Sequence, residues 1–129
     1  MEFMFKVKNR IIGKQFKPFI IAEMSANHNK SLITALKIVR EAAKSGVDAI
    51  KLQTYTADTI TFKSKRKEFK ISSKESLWKG KTLHSLYKES YTPWEWHKKI
   101  FEEAKKNNIL CFSSPFDDTA VDFLEKLNN

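Results

Sequence analysis

Four polar side chains interrupt or end runs that are otherwise apolar. Glu23 lies near the end of FIIAEM (19–24). Lys51 and Gln53 stand within AIKLQT (49–54), and Ser114 closes ILCFSS (109–114). A carboxylate or ammonium in such a run is costly without a partner or a task. Lys51, between Ile50 and Leu52, can only lead its stem toward one end of the strand. Side chains alternate along a strand, so Gln53 shares a face with Lys51. If the three runs are neighbouring parallel strands, an ammonium, a carboxylate, a carboxamide and a hydroxyl meet at one rim. That set suits a small molecule bearing phosphate or carboxylate. The plainer alternative is a Glu23–Lys51 ion pair that binds nothing.

Other chemistry is thinner. Asn27-His28-Asn29 follows the first run and reads as a loop leading into a helix, with His28 a weak candidate ligand. His84 and His97 stand in no H-x-H or H-x-x-x-H spacing, so this chain alone offers no metal site. Cys111 reads as a small core residue rather than a nucleophile. Trp78, Trp94 and Trp96 could carry a sugar ring, but packing is the simpler role for Trp94 and Trp96. The sequence has no Gly-rich phosphate loop, no G-x-S-x-G and no C-x-x-C.

The elements that must position these residues follow from periodicity. Near-continuous apolar runs of strand length predict a parallel sheet. Leu32, Ala35, Leu36, Val39 and Ala43 form one helical stripe, with Ser31 as N-cap and Gly46 as the stop. Thr92-Pro93-Trp94-Glu95 predicts a second helix start, with Thr92 capping, Pro93 at the first helical position and Glu95 completing a capping box. Trp96, Ile100 and Ala104 continue it, and Asn107-Asn108 end it. A third helix is expected from Asp117 or Asp118, with Ala120, Phe123, Leu124 and Leu127 inward. The order β-α-β-α-β-α specifies a right-handed parallel α/β arrangement. Residues 56–91 read as an insertion after the second strand, on the side where parallel sheets carry their sites. Residues 1–17 read as a short hairpin that could plug one end of a barrel.

Composition sets the limits. The chain has 129 residues, 41% hydrophobic and 30% charged, which is about one domain with enough apolar content for a core. One cysteine excludes an internal disulfide framework and fits a reducing cytosol. No run is long and apolar enough for a membrane span, and the N-terminus has no secretion-signal pattern. The net charge is +9. It is concentrated in residues 61–90, with nine basic and three acidic side chains, including Lys63-Ser64-Lys65-Arg66-Lys67. A solvated loop explains that run, and attraction of an anionic small molecule is the sharper alternative. No nucleic-acid module pattern accompanies it, so nucleic acid is not expected as a partner.

The stretches FIIAEMSANHN (19–29), AIKLQTYTAD (49–58), SLWKGKTLHSLYKESYTPWEWH (76–97) and FSSPFDDTAVD (112–122) resemble the N-terminal part of the sialic acid synthase family. The LWKG…TPWEWH segment resembles its pseudaminic acid branch. The resemblance implies a (β/α)8 TIM barrel, of which this chain holds the first three βα units behind the hairpin. The remaining barrel strands and an antifreeze-like domain are expected outside it, in a homodimer in the cytoplasm. It implies condensation of phosphoenolpyruvate with an open-chain 2,4-diacetamido-2,4,6-trideoxy altrose to give pseudaminic acid and phosphate. The alternatives are an N-acetylneuraminic or legionaminic acid synthase fragment, or a non-catalytic remnant. It further implies that Lys51 and Ser114 hold phosphoenolpyruvate, that Gln53 and Asn27 bind substrate, and that Glu23 orients or deprotonates the attacking water. A divalent metal, Mn2+ or Mg2+, is implied in the full-length enzyme, with ligands from outside this chain. By itself the chain is expected to be inactive.

Overall fold

The computed structural model describes residues 3–73 and 75–127. Strands β1 (Phe5–Val7) and β2 (Arg10–Ile12) form the expected antiparallel hairpin, with Phe5 opposite Ile12 and Val7 opposite Arg10. Lys8 takes φ +47° in the turn between them. Three parallel strands follow in the order β3 (Ile21–Glu23), β4 (Ala49–Thr54), β5 (Leu110–Pro115). Helix α1 (Leu32–Lys44) joins β3 to β4, and α5 (Asp118–Leu127) follows β5. Between β4 and β5 come the short α2 (Ala57–Ile60), a 3-10 turn at Lys67–Phe69, α3 (Leu83–Ser90) and α4 (Trp94–Lys106). The 56–91 insertion thus contains two short helices.

Period-two alternation gives the sheet two unlike faces. Met24, Ile50 and Leu52 point to one side and are fully buried with Ala35 and Val39 of α1 and Ile100 and Ala104 of α4. This is the core. Glu23, Lys51, Gln53 and Ser114 point to the other side, where each stays at least partly exposed. At the N-terminal end of that face the hairpin borders an open cleft of about 500 Å3, lined by Phe5, Val7, Ile12, Ile21 and Phe112 among others. The hairpin is held there by Arg10, which pairs with Asp48 just ahead of β4.

Most local expectations hold. Ser31 Oγ accepts from the Thr34 amide at 3.2 Å and starts α1. Gly46 follows its C-cap at φ +79°, a left-handed conformation that costs glycine least. Asp117 Oδ2 accepts from the Thr119 amide at 3.0 Å and opens α5.

Three expectations are corrected. The first strand is shorter than 19–24, because the Ile20 amide bonds the Asp48 carboxylate at 2.8 Å and Ser25 turns away at φ +46°. The third strand starts at Leu110, because the Ile109 amide still closes onto Ala104 O of α4 at 3.1 Å. It runs on through Pro115, and the Phe116 amide then bonds Thr54 O at 3.2 Å. Helix α4 has no Thr92–Glu95 capping box: Pro93 is its N-cap and no side chain caps it. The Thr92 hydroxyl is engaged instead by His28, 3.0 Å away.

Candidate active site

Glu23 is the last residue of β3 and pairs in register with Lys51 on β4. Their side chains meet at 2.7 Å, Lys51 Nζ to Glu23 Oε2, and are 32% and 41% exposed. Ser25 Oγ donates to the other Glu23 oxygen at 3.2 Å. One rung further toward the strand ends, Gln53 pairs in register with Ser114 on β5. The sheet therefore brings Glu23, Lys51, Gln53 and Ser114 onto a single face, on two successive rungs near its C-terminal edge.

Asn27 joins them from the loop after β3. Its Nδ2 donates to Met24 O at 2.9 Å, which turns the loop back over the strand end. Asn27 and Gln53 line a second cleft of about 500 Å3, whose far wall is Tyr55, Trp78, Tyr87 and Ser90. Trp78 and Tyr87 come from the insertion, so residues 56–91 do border the rim. Lys81 stands 5.0 Å over the Trp78 ring and bonds Glu89 at 2.5 Å. Tyr87 meets the Tyr55 ring edge-on at 5.5 Å, and burial pushes the Tyr55 hydroxyl pKa up. Trp94 and Trp96 pack: the Trp94 indole donates to Tyr55 O at 3.2 Å and Trp96 lies against the core.

The rim can hold an anion. Lys51 is only partly covered, and its ammonium has capacity beyond one carboxylate contact. Ser114 and Gln53 supply donors one rung away. Glu23 carries a carboxylate oxygen that can accept a proton or orient a water beside that anion.

A buried polar network lies behind the rim, and reasoning from sequence missed it. His28, Thr54, Thr92 and His97 are each 2% exposed or less. The Lys30 amide donates to His28 Nδ1 at 3.2 Å, so Nε2 carries the proton and donates to Thr92 Oγ1. On α4, His97 Nδ1 donates to Pro93 O at 3.3 Å, and its bare Nε2 accepts from Thr54 Oγ1 at 2.8 Å. Ser113 Oγ then donates to Thr54 Oγ1 at 2.6 Å. Burial lowers the pKa of both histidines and keeps them neutral. The available signals were Thr54, which follows Gln53 on the strand face opposite the rim, and Thr92 ahead of α4.

Cys111 faces the helices as expected, and burial pushes its thiol to about 12, too high for a nucleophile. Among the described residues no group of three or more His, Cys, Asp or Glu is placed to hold a metal ion.

The profile of the NeuB family matches residues 38–129. The chain belongs to the NeuB family. Similar proteins include a pseudaminic acid synthase of Campylobacter jejuni, 51% identical over 112 residues, which are 87% of this chain and 32% of that protein. A pseudaminic acid synthase of Helicobacter pylori is 44% identical over 86% of this chain and 32% of its own. An N,N'-diacetyllegionaminic acid synthase of Legionella pneumophila is 35% identical over 89% of this chain and 32% of its own. The crystal structure of an N-acetylneuraminic acid synthetase from Leptospira borgpetersenii superposes with a TM-score of 0.77 at 28% identity, covering 98% of this chain and 39% of that one. This NeuB chain spans about a third of the length of the curated relatives it matches.

Proposed function

We propose that the chain is the N-terminal portion of a nonulosonic acid synthase, and specifically of an enzyme making pseudaminic acid. In this reading the parallel sheet is the first sector of a (β/α)8 barrel and the open rim faces its centre. The enzyme works in the cytoplasm as a homodimer. The observation that carries the proposal is the pairing of the Glu23–Lys51 and Gln53–Ser114 rungs on one partly exposed face. Identities of 44% and 51% to pseudaminic acid synthases favour that branch. The 35% identity to a legionaminic acid synthase supports the runner-up, a related sugar acid.

The residues then divide the work. Lys51 and Ser114 bind the anionic groups of phosphoenolpyruvate and hold its C3 toward the sugar. Gln53 and Asn27 orient the open-chain 2,4-diacetamido-2,4,6-trideoxy altrose along the cleft walled by the insertion. C3 of the enolpyruvate attacks the sugar aldehyde and forms the new C–C bond, leaving positive character at C2. Glu23 positions a water for addition at C2 and takes its proton, and phosphate departs as the C2–O bond breaks. One molecule each of phosphoenolpyruvate, sugar and water give one of pseudaminic acid and one of phosphate. The described residues do not by themselves form a metal-binding set. The Mn2+ or Mg2+ implied by the family resemblance would polarise the aldehyde, with ligands from outside this chain.

The test is phosphate release by the protein expressed from its complete gene. The altrose-type sugar should be turned over at least tenfold better than N-acetylmannosamine, a gap of about 1.4 kcal/mol in transition-state binding. Preference for N-acetylmannosamine would move the protein to the neuraminic branch. Phosphate release only with the sugar precursor of legionaminic acid would support the runner-up, and absence of release with all three sugars would leave the non-catalytic remnant.

A further inference from the structure

Asn27, Gln53 and Ser114 come from three separate segments, yet each is followed or preceded by a residue locked into the buried network. His28 follows Asn27, Thr54 follows Gln53, and Ser113 precedes Ser114. All three locks end at the start of α4. His28 bonds Thr92, the residue before the Pro93 cap, at 3.0 Å. Thr54 bonds His97, one turn into the helix, at 2.8 Å, and Ser113 bonds Thr54 at 2.6 Å. His97 in turn donates to Pro93 O at 3.3 Å. Rings close the space around them: Trp96 meets His28 edge-on at 5.5 Å, and Phe123 of α5 meets His97 at 5.3 Å.

We propose that the N-terminal turn of α4 is a positioning hub: through His28, Thr54 and Ser113 it sets the relative placement of Asn27, Gln53 and Ser114 on the opposite face. The inference rests on the reading of that face as a substrate rim. For Gln53 and Ser114 alternation along a strand supplies the mechanism, and Asn27 is held through the turn that it shares with His28. A side chain fixed on the helix side fixes the backbone of its neighbour, and hence where that neighbour's side chain leaves the open side. The bonds are short, directional and desolvated, so each defines one geometry. Lys51 and Glu23 stand outside the hub and are set by their own ion pair. The hub residues touch no substrate. They act through the rim residues, and a displacement of about 1 Å at a site can cost up to 100-fold in rate.

The experiment compares four proteins expressed from the complete gene: wild type, Thr54→Val, Thr54→Ser and Val39→Ala. Thr54→Val keeps shape but loses the hydroxyl, Thr54→Ser keeps the hydroxyl, and Val39→Ala is a core control that touches none of these bonds. Two readouts are taken: KM for phosphoenolpyruvate, and the NMR signals of the Asn27 and Gln53 side-chain amides. Thr54→Val should raise KM roughly tenfold and shift both amide signals, with Thr54→Ser close to wild type on both. Val39→Ala should lower thermal stability while leaving both readouts in place. If Thr54→Val does not fold, His97→Gln, which keeps an acceptor where Nε2 stands, is compared with His97→Asn, which does not. Thr54→Val, or His97→Asn in its place, behaving like Val39→Ala on both readouts would overturn the hub. The amide readout needs no turnover, so it still judges the hub if the protein proves not to be a synthase.

Discussion

The two faces of the β3-β4-β5 sheet are built from alternate residues of the same strands, yet they do opposite things. On the helix side Ile50 and Leu52 are fully buried against α1 and α4, and the polar groups present there are paired. On the open side Lys51 is a third exposed and Phe112 and Ile21 remain 39% and 46% exposed. One face carries the core, and the other carries the proposed chemistry. A substitution should therefore change one property or the other according to the parity of its position.

The largest effect tests the stable face. Ile50→Ala should cost about 2–5 kcal/mol in denaturant unfolding, through lost burial and the cavity left behind. Its neighbour Lys51→Ala should cost about 1 kcal/mol or less, because a partly exposed ion pair contributes little. Equal losses at the two positions would erase the distinction between the faces.

Acid should act on the helix side next. His28 and His97 are held neutral by burial, with pKa values below the ordinary 6.5. The unfolded chain therefore takes up protons first as pH falls below 6.5, and stability declines from there until the folded-state values are passed. Each histidine contributes a slope of up to about 1.4 kcal/mol per pH unit in that window. Unfolding midpoints between pH 7 and 5 check this, and His28→Gln should flatten the curve.

The smallest effects separate a real cap from an expected one. Ser31→Ala should cost about 1 kcal/mol, because its hydroxyl caps α1. Glu95→Ala should stay within about 0.5 kcal/mol, because α4 has no capping box for it to complete. A full cap-sized loss at Glu95 would restore the sequence-based expectation.

These differences also show what the sequence could convey. Strand β4 was legible to the residue, because its run is flanked by turn residues and alternates buried with partly exposed positions. The rim was legible for a related reason: Glu23 and Lys51 are conspicuous in apolar surroundings, and parallel pairing in register follows from the βαβ order. Thr92 was misread because its local pattern fits a cap. Its actual partner, His28, lies 64 residues away, and local spacing carries no information about that contact. The limits of β3 and β5 shifted for the same reason, since Asp48 and Ala104 take the amides that propensity alone assigns to strands. The insertion offered little periodicity, and its two short helices depend on contacts such as His84–Asp58, 2.8 Å across 26 residues.

The central claim is that the open face is an anion site centred on Lys51. The most direct test is a calorimetric titration of phosphoenolpyruvate into the protein expressed from its complete gene, beside the Lys51→Ala variant. The account predicts saturable binding to the wild type and roughly tenfold or greater weakening in the variant, the size of one lost charged hydrogen bond. Indistinguishable isotherms from two folded proteins would contradict it.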